Sequence, residues 1–156
     1  MLRIDIPGFK QINIGHVVFD YNGTIAQDGK LIKGVKQGID QFSMLLKFHV
    51  ITADTFGFVK KELDGIDAKL VIIPKGNQAQ AKLDYINTLG KDKTLSVGNG
   101  ANDRLMLEQA CVGIAVLQDE GLALSSLLTA DLLVKDILDV FDFFRTPERL
   151  VASLRT

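Results

Sequence analysis

The stretch His16–Ile25 could do chemistry, because an apolar run ends there in a carboxylate and a tight turn. Val17–Phe19 precede Asp20, and Asn22-Gly23-Thr24 follow one residue later. A buried strand with this pattern delivers an acidic side chain to the mouth of a sheet. Such a carboxylate could be a covalent nucleophile or a metal ligand. The alternative is an aspartate that only opens a turn.

Polar side chains also stand near the ends of two later apolar runs. Thr52 ends the run His49–Thr52, and Gly98–Asp103 form a Gly-Asn-Gly-Ala-Asn-Asp loop after another. Lys82 comes between them, in the predicted helix Gln78–Leu89. Each has a structural alternative, since a threonine can simply end a strand and a lysine is usually a solvated helix charge. Their order along the chain favours a shared site.

The glycine-rich loop allows two interpretations. Asn102 and Asp103 could cap the helix that begins near Arg104, and the glycines could simply relax a turn. The loop fails the dinucleotide-binding fingerprint, because Asp103 stands where the third glycine would be. A Gly-x-x-x-x-Gly-Lys-Ser/Thr loop does not occur in the sequence either.

Taken together, these residue types fit phosphoryl transfer. A nucleophilic Asp20 would attack phosphorus and form an acyl phosphate. The Thr52 hydroxyl and the Lys82 ammonium would neutralise phosphate oxygens, and backbone amides of the Asn22-Gly23-Thr24 turn could cradle the same group. A second acidic residue on the glycine-rich loop, Asp103, would help to hold Mg²⁺, which prefers oxygen ligands.

The elements that must position these residues alternate between strands and helices. The apolar runs are short, β-branched and apolar on both faces, as strands of a covered parallel sheet are. They are Val17–Phe19, His49–Thr52, Leu70–Ile73, Thr94–Val97, Val112–Val116 and Leu132–Val134. Helical patterns cover Ile39–Leu46, Gln78–Leu89, Leu105–Ala110 and Ile137–Phe144, and Pro147 starts a last one. This alternation predicts an α/β three-layer sandwich in one domain, residues 1–156.

Two further expectations concern the sheet. Arg3–Ile6 and Lys10–Ile14 could form a small hairpin added to the sheet edge. Ligands of such sheets bind outside the carboxyl ends of the strands, where the polar residues stand. The aromatic segment Phe141–Arg145 is expected to pack on the sheet, and His16 and His49 are expected to be structural, since neither lies at a strand's carboxyl end.

Composition excludes several classes of function. The chain has 156 residues and a formal net charge of -1, with no long basic run, which argues against nucleic acid as a partner. Its single cysteine, Cys111, permits no intramolecular disulfide and is expected to be a buried hydrophobe. Neither a signal peptide nor an apolar segment of about 20 residues occurs. We therefore expect a cytoplasmic protein that does not enter a membrane.

These residues resemble the motifs of the haloacid dehalogenase superfamily, and more narrowly its small phosphatase-like members related to the phosphorylation domain of P-type ATPases. Asp20–Thr24 is similar to the first motif, Asp-x-x-Gly-Thr, whose aspartate is the nucleophile. Val50-Ile51-Thr52 resembles the second motif and Lys82 the third, although Lys75 is a rival with poorer spacing. Gly98–Asp103 resembles the fourth motif, Gly-Asp-Gly-x-Asn-Asp. The match covers most of the chain.

The resemblance implies a role for each matched residue. Asp20, Asn22, Thr52 and Lys82 would occupy the catalytic positions. Gly23, Thr24, Thr52 and Lys82 would bind the substrate phosphate. Asp20, Asn22, Asn99 and Asp103 would hold Mg²⁺, with Asn22 contributing its backbone carbonyl.

Two departures from the family pattern bear on activity. Most phosphatases of the superfamily have an aspartate as general acid/base two residues after the nucleophile, where this chain has Asn22. An amide does not exchange a proton at neutral pH, and losing a positioned acid/base typically costs about a hundredfold to ten-thousandfold in rate. Asn99 replaces the first aspartate of the fourth motif, so one formal charge is gone and Mg²⁺ binding should be weaker.

The spacing of the motifs also leaves no room for a cap domain. Only a hairpin flap (Ile25–Leu31) and one helix fit between Thr24 and Thr52, and only one helix and one strand fit between Thr52 and Lys82. We therefore expect a capless enzyme of Mg²⁺-dependent phosphoryl transfer through an aspartyl phosphate, most simply a slow phosphatase. Its substrate would be a phosphorylated small molecule or a phosphoprotein, and the sequence leaves a homo-oligomer open. The alternative is a catalytically weakened regulatory or phosphate-binding module.

Overall fold

The computed structural model describes residues 1–54 and 57–156. Its strands are β1 (Leu2–Ile6), β2 (Lys10–Ile14), β3 (His16–Asp20), β4 (Ala26–Gln27), β5 (Lys30–Leu31), β6 (Lys47–Thr52), β7 (Ala68–Ile72), β8 (Thr94–Gly98), β9 (Val112–Val116) and β10 (Leu132–Val134). Its α-helices are α1 (Val35–Phe42), α2 (Phe58–Glu62), α3 (Gln78–Leu89), α4 (Arg104–Gln109), α5 (Leu124–Thr129), α6 (Leu138–Arg145) and α7 (Pro147–Leu154). Short 3₁₀ turns occupy Lys91–Lys93 and Ala101–Asp103.

Strands from the described part of the chain form one parallel sheet in the order β10-β9-β8-β3-β6-β7. Strand β3 lies in the middle, with Phe19 opposite Val50 of β6 and Val97 of β8. All of the predicted strands are therefore confirmed. Because the strands are parallel, their carboxyl ends lie at one edge of the sheet, and Asp20 ends the central strand.

Helices cover both faces of this sheet, as the three-layer prediction requires. On one face, Phe19 and Phe48 pack against α1, α6 and α7, and Phe141 lies with its ring centroid 5.8 Å from that of Phe19. On the other face, Val18 and Ile51 pack against α3 and α4. Burial of the aromatic segment on the sheet and burial of Cys111 are both confirmed.

The position of the N-terminal hairpin was predicted wrongly. Strands β1 and β2 pair in antiparallel fashion, but they form a separate two-stranded sheet and do not extend the six-stranded one. Its alternate residues, Ile4, Ile6, Ile12 and Ile14, are buried in the main core. The hairpin thus covers the core with one apolar face, which it could not do as an edge strand pair.

Helix α1 is shorter than the spacing of its apolar residues suggested. It ends at Phe42, and the amides of Leu45 and Leu46 both donate to the Phe42 carbonyl in a terminal turn. This turn buries Leu46 and leaves Met44 exposed. The helical spacing of apolar residues therefore extends past the end of the helix itself.

The segment between the nucleophile candidate and β6 contains no cap domain. The described residues from Thr24 to Thr52 include the β4–β5 hairpin, which is the predicted flap, and helix α1. Among the described helices, none combines the length and the apolar content that crossing a membrane requires.

Candidate active site

The carboxylate of Asp20 is the centre of the polar cluster at the carboxyl edge of the sheet. Its Oδ1 lies 2.6 Å from the Nζ of Lys82, and its Oδ2 lies 3.4 Å from the Thr24 hydroxyl. The backbone amide of Tyr21 also faces this carboxyl group. Because the strand is central and covered on both faces, the side chain is buried except toward the end of the sheet.

Lys82 reaches this cluster from α3 and bridges two carboxylates. Its Nζ donates to Asp20 Oδ1 and to Asp103 Oδ1, each at 2.6 Å, and the side chain is only 1% exposed. Burial by itself lowers the pKa of this ammonium, but Asp20 and Asp103 outweigh burial and raise it. The lysine is therefore held as a cation inside the protein.

The cluster has one negative charge in excess, since two carboxylates share one ammonium. Burial raises the pKa of the Asp20 carboxyl to about 7, and the charge of Asp103 adds to this effect against the opposing pull of Lys82. A buried site with this imbalance favours a further cation or a proton.

Asp103 is fixed by the glycine-rich loop on its other oxygen. Its Oδ2 accepts hydrogen bonds from the amides of Asn99, at 3.0 Å, and Gly100, at 2.9 Å. A Cβ at Gly98 would collide with the Asp103 carboxyl group, so a side chain there would displace it. Both oxygens of Asp103 are thus engaged within the protein. The loop therefore positions Asp103 to bind the Lys82 ammonium.

The turn after Asp20 is held by hydrogen bonds within its own backbone. Gly23 has a φ of 78°, and a Cβ there would collide with the Asn99 side chain. The amide of Gly23 donates to the Ala26 carbonyl at 2.8 Å, and the amide of Thr24 donates to the Tyr21 carbonyl at 3.2 Å. These two amides, which we expected at a phosphate, are engaged inside the turn in the structure.

Thr24 links the turn to the fourth motif. Its hydroxyl is buried and lies 3.2 Å from Asn99 Oδ1, while Asn99 Nδ2 donates to the Gly121 carbonyl at 3.0 Å. Asn99 therefore directs its amide oxygen toward Thr24, whose hydroxyl also lies 3.4 Å from Asp20 Oδ2. The structure places Thr24 behind the carboxylate and not on the open side of the cluster.

A cavity of about 370 Å³ opens over Asp20. Of the residues predicted for the site, it is lined by Asp20, Asn22, Thr52, Lys82 and Asn99, whereas Gly23, Thr24 and Asp103 lie outside its lining. Lys75, the rival for the lysine position, does not line it either.

Two side chains on the cavity wall are suited to act on a bound group. Thr52 Oγ1 accepts a hydrogen bond from the Asp54 amide at 3.2 Å, so its own hydrogen is available to an acceptor in the cavity. Asn22 is exposed at the mouth, where its side-chain amide can donate a hydrogen bond but cannot transfer a proton.

Gln118 is a site residue that the sequence motifs missed. Its Nε2 donates to the carbonyls of Thr24, at 2.8 Å, and Gly23, at 3.3 Å, while its Oε1 accepts from the Ile137 amide at 2.9 Å. It thereby fastens the turn after Asp20 to the loops after β9 and β10. Its position just beyond the end of β9 was the signal that could have identified it.

The donor atoms available to a metal ion are oxygens. Across residues 1–54 and 57–156, no group of three or more His, Cys, Asp or Glu side chains could hold a metal. A metal ion near the excess negative charge could still bind one charged oxygen, Asp20 Oδ2, and two neutral ones, Asn99 Oδ1 and the backbone carbonyl of Asn22. Such a set suits Mg²⁺, which keeps several waters. Asp103 Oδ1 accepts one hydrogen bond, from Lys82, so it keeps a lone pair that a metal ion could use.

The chain is similar to known proteins in sequence and in fold. No protein-family model matches the chain. It is 39% identical over 84 residues to an uncharacterised protein of Methanocaldococcus jannaschii, covering 51% of this chain and 90% of that protein. It is 33% identical over 124 residues to a soluble P-type ATPase-like phosphatase of the same organism, covering 76% of this chain. The chain spans 45% of the length of that second relative.

The fold is shared with a 3-deoxy-D-manno-octulosonate 8-phosphate phosphatase from Moraxella catarrhalis, solved with a magnesium ion, a phosphate ion and a KDO molecule. The TM-score is 0.69 at 12% sequence identity, covering 91% of this chain and 94% of that one. The chain therefore has the fold of haloacid dehalogenase superfamily hydrolases. Asp20 ends the central strand of this shared fold, and the described residues between Thr24 and Thr52 hold no cap domain.

Proposed function

We propose that this protein is a phosphatase of the haloacid dehalogenase superfamily that works through an aspartyl phosphate on Asp20. The observation that carries the proposal is the arrangement of Asp20 at the end of the central strand, 2.6 Å from the buried Lys82 and facing a cavity. The relative named as a phosphatase supports the same reaction class. A carboxylate held beside a buried cation at the floor of a polar cavity is suited to attack an anionic phosphoryl group.

The proposed reaction has two displacements at phosphorus. A carboxylate oxygen of Asp20 forms a bond to phosphorus, and the bond to the leaving-group oxygen breaks. Water then attacks the phosphoryl group, which releases inorganic phosphate and restores the Asp20 carboxylate. The Lys82 ammonium and the Thr52 hydroxyl offset the charge on the phosphoryl oxygens in both steps.

Proton transfer is the weak point of this site. The leaving-group oxygen needs a proton in the first step, and the attacking water must lose one in the second. Asn22 stands at the mouth of the cavity but can neither give nor take a proton. Both protons must therefore be exchanged with solvent, which makes the enzyme slow.

Asp20 Oδ2, Asn99 Oδ1 and the Asn22 carbonyl would hold Mg²⁺ in this proposal. When bound, the ion supplies positive charge that draws electron density from the phosphoryl oxygens. The one charged ligand among the three predicts a weak site. The substrate in this proposal is a phosphorylated small molecule or a phosphoprotein.

The test is hydrolysis of para-nitrophenyl phosphate and acetyl phosphate with Mg²⁺, by the wild type and by Asp20→Asn. We expect slow turnover by the wild type, a trapped acid-stable phosphoaspartate at residue 20, and neither in the variant. Asp92→Asn makes the same change at an exposed carboxylate and should behave as wild type. Equal rates in the wild type and Asp20→Asn, with no phosphoaspartate, would refute the proposal.

A second function is favoured by Asn22 and Asn99, which stand where the superfamily pattern has aspartates. A module that binds phosphate without turnover would keep the cavity, Lys82 and Thr52. Phosphate binding measured by calorimetry, with no catalysis under the conditions above, would identify this alternative.

A further inference from the structure

Three side chains form a hydrogen-bonded row that the proposed reaction does not use. His16 Nδ1 lies 3.0 Å from His49 Nε2, and His49 Nδ1 lies 2.8 Å from the hydroxyl of Tyr85. His49 is 5% exposed, and its ring meets the Tyr85 ring edge-on with centroids 5.7 Å apart. Both ring nitrogens of a buried histidine are thus satisfied by two specific partners.

This row joins the same three elements that deliver the active-site groups. His16 is on β3 with Asp20, His49 is on β6 with Thr52, and Tyr85 is on α3. Residues alternate between the faces of a strand, so His16 and Asp20 lie on the same face of β3. That face is the one covered by α3.

Tyr85 and Lys82 are three residues apart on α3, which places them on one side of the helix, about one turn from each other. Helix α3 therefore contacts the sheet face through two polar points. One is the Lys82 ammonium at Asp20, and the other is the Tyr85 hydroxyl at His49.

The contacts between these points are apolar. Val18 of β3, Ile51 of β6 and Ile86 of α3 are fully buried together there. The hydrophobic effect is non-directional, so the apolar layer alone does not select one rotation of the helix as specifically as a hydrogen bond does. Hydrogen bonds are directional, so the Tyr85 contact restricts the rotation and height of α3 in a way that the apolar layer does not.

Lys82 has little tolerance for such movement. Its Nζ makes two hydrogen bonds of 2.6 Å to carboxylates on different elements, and a displacement of about 1 Å would lengthen at least one of them beyond good geometry. We propose that Tyr85, His49 and His16 are positioning residues that seat helix α3 so that Lys82 reaches Asp20 and Asp103 together. The inference rests on the proposed function for its kinetic consequence only.

The first test measures the position of Lys82 without relying on activity. An amine-reactive reagent is applied briefly to the folded protein, and the labelling of each lysine is followed by mass spectrometry. In the wild type Lys82 should label far more slowly than the exposed Lys75. In Tyr85→Phe, which keeps the ring and removes the hydroxyl, labelling of Lys82 should rise at least threefold while Lys75 stays unchanged.

The second test is kinetic. Tyr85→Phe should lower kcat for para-nitrophenyl phosphate by about twofold to tenfold, the value of one neutral hydrogen bond. His49→Gln, whose amide can still bond Tyr85, should retain more activity than His49→Leu, which cannot. A purely space-filling role for His49 does not predict that glutamine retains more activity than leucine.

The matched control is Val140→Ala, because Val140 is fully buried in α6 on the opposite face of the sheet. It should lower the melting temperature without raising the labelling of Lys82. If Tyr85→Phe changes the melting temperature as Val140→Ala does and leaves both Lys82 labelling and kcat unaltered, the row is merely structural and the inference is wrong. If the wild type shows no turnover, the proposed function fails, and the labelling experiment still decides this inference.

Discussion

The Nζ of Lys82 lies 2.6 Å from Asp20 Oδ1 and 2.6 Å from Asp103 Oδ1, so a lysine on a helix joins the carboxylate at the end of β3 to one in the loop after β8. The three side chains are buried, and two negative charges face one positive charge. This relationship makes Lys82 important to folding as well as to the proposed chemistry, because each charged group depends on the others for its stability in the interior.

Replacing Lys82 by methionine tests both roles. Removing the cation leaves two buried carboxylates facing each other, so the free energy of unfolding should fall by about 3–5 kcal/mol at neutral pH. Activity should fall by about a hundredfold or more, since a charge-stabilising group is lost. Denaturant unfolding and the phosphatase assay check the two effects, and Lys75→Met serves as the exposed control.

The same variant should regain stability in mild acid. The pKa of the Asp20 carboxyl is already raised to about 7 by burial and by Asp103, against an unfolded value of 3.8, and losing Lys82 raises it further. The folded variant therefore binds a proton that the unfolded chain does not, and its stability rises as the pH falls from 7 toward 4. Because the wild type binds the same proton below about pH 7, the deficit relative to the wild type should narrow above that pH, as the pH falls toward 7. A deficit that stays constant above pH 7 would contradict the electrostatic explanation.

Asn22→Asp should convert a slow enzyme into a faster one. The residue stands at the mouth of the cavity that contains Asp20, where a carboxyl group could protonate the leaving oxygen and then activate water. Such a group typically contributes about a hundredfold to ten-thousandfold, so a rise in kcat of at least tenfold is expected. Asn87→Asp, an exposed change of the same kind on α3, should leave kcat unaltered.

A bell-shaped pH–rate profile in Asn22→Asp, absent from the wild type, would locate the gain in proton transfer. An unchanged rate would remove Asn22 from the acid/base position.

The histidine row predicts a dependence of stability on pH. Burial lowers the pKa of His49 to about 4, with His16, Lys69 and Lys47 adding to the effect, whereas an unfolded histidine titrates near 6.5. As the pH falls from 6.5 to 4, the unfolded chain takes up a proton at His49 that the folded chain does not, so stability is lost in that window. Burial also lowers the pKa of His16, with Lys47 and Lys93 adding to it.

The comparison of the wild type with His49→Gln isolates this effect from Asp20, whose titration acts in the opposite direction in both proteins. The wild type should lose stability relative to the variant between pH 6.5 and 4, measured by denaturant unfolding at several pH values. A difference that does not vary with pH would show that His49 is protonated in the folded state as readily as in the unfolded one.

Much of the fold was predictable because buried parallel strands are short apolar runs. Val17–Phe19 and Val112–Val116 could hardly be anything else, and the polar residues that follow such runs meet at one edge of the sheet. The hairpin β1–β2 was misplaced because local pattern shows that its isoleucines share a face but not which surface that face covers. Helix α1 was overextended because apolar spacing continues into its terminal turn.

The candidate site, like the fold, has features that the sequence predicts and features that it does not. Asp20, Thr52, Lys82 and Asn99 could be placed around one cavity from residue type and position, and the structure brings them together. The direction of individual hydrogen bonds could not be predicted from the sequence, because it depends on packing between distant segments. Gln118 bonds to Thr24 across 94 residues of sequence, and the amide of Thr24 turns inward to the Tyr21 carbonyl.

Asn99→Asp should tighten Mg²⁺ binding at the proposed site. Asn99 Oδ1 and Asp20 Oδ2 both lie near the Thr24 hydroxyl, and both residues line the cavity, so an aspartate at residue 99 would add a second charged oxygen to the donor set. In the absence of metal the variant should be less stable than the wild type, because a carboxylate replaces the amide nitrogen that donates to the Gly121 carbonyl and adds a third negative charge. Added Mg²⁺ should raise the melting temperature of the variant by more than that of the wild type. Titration calorimetry checks the affinity directly, with Asn87→Asp as the control for added surface charge. Equal Mg²⁺ affinity in Asn99→Asp and the wild type would exclude Asn99 from the metal ligands.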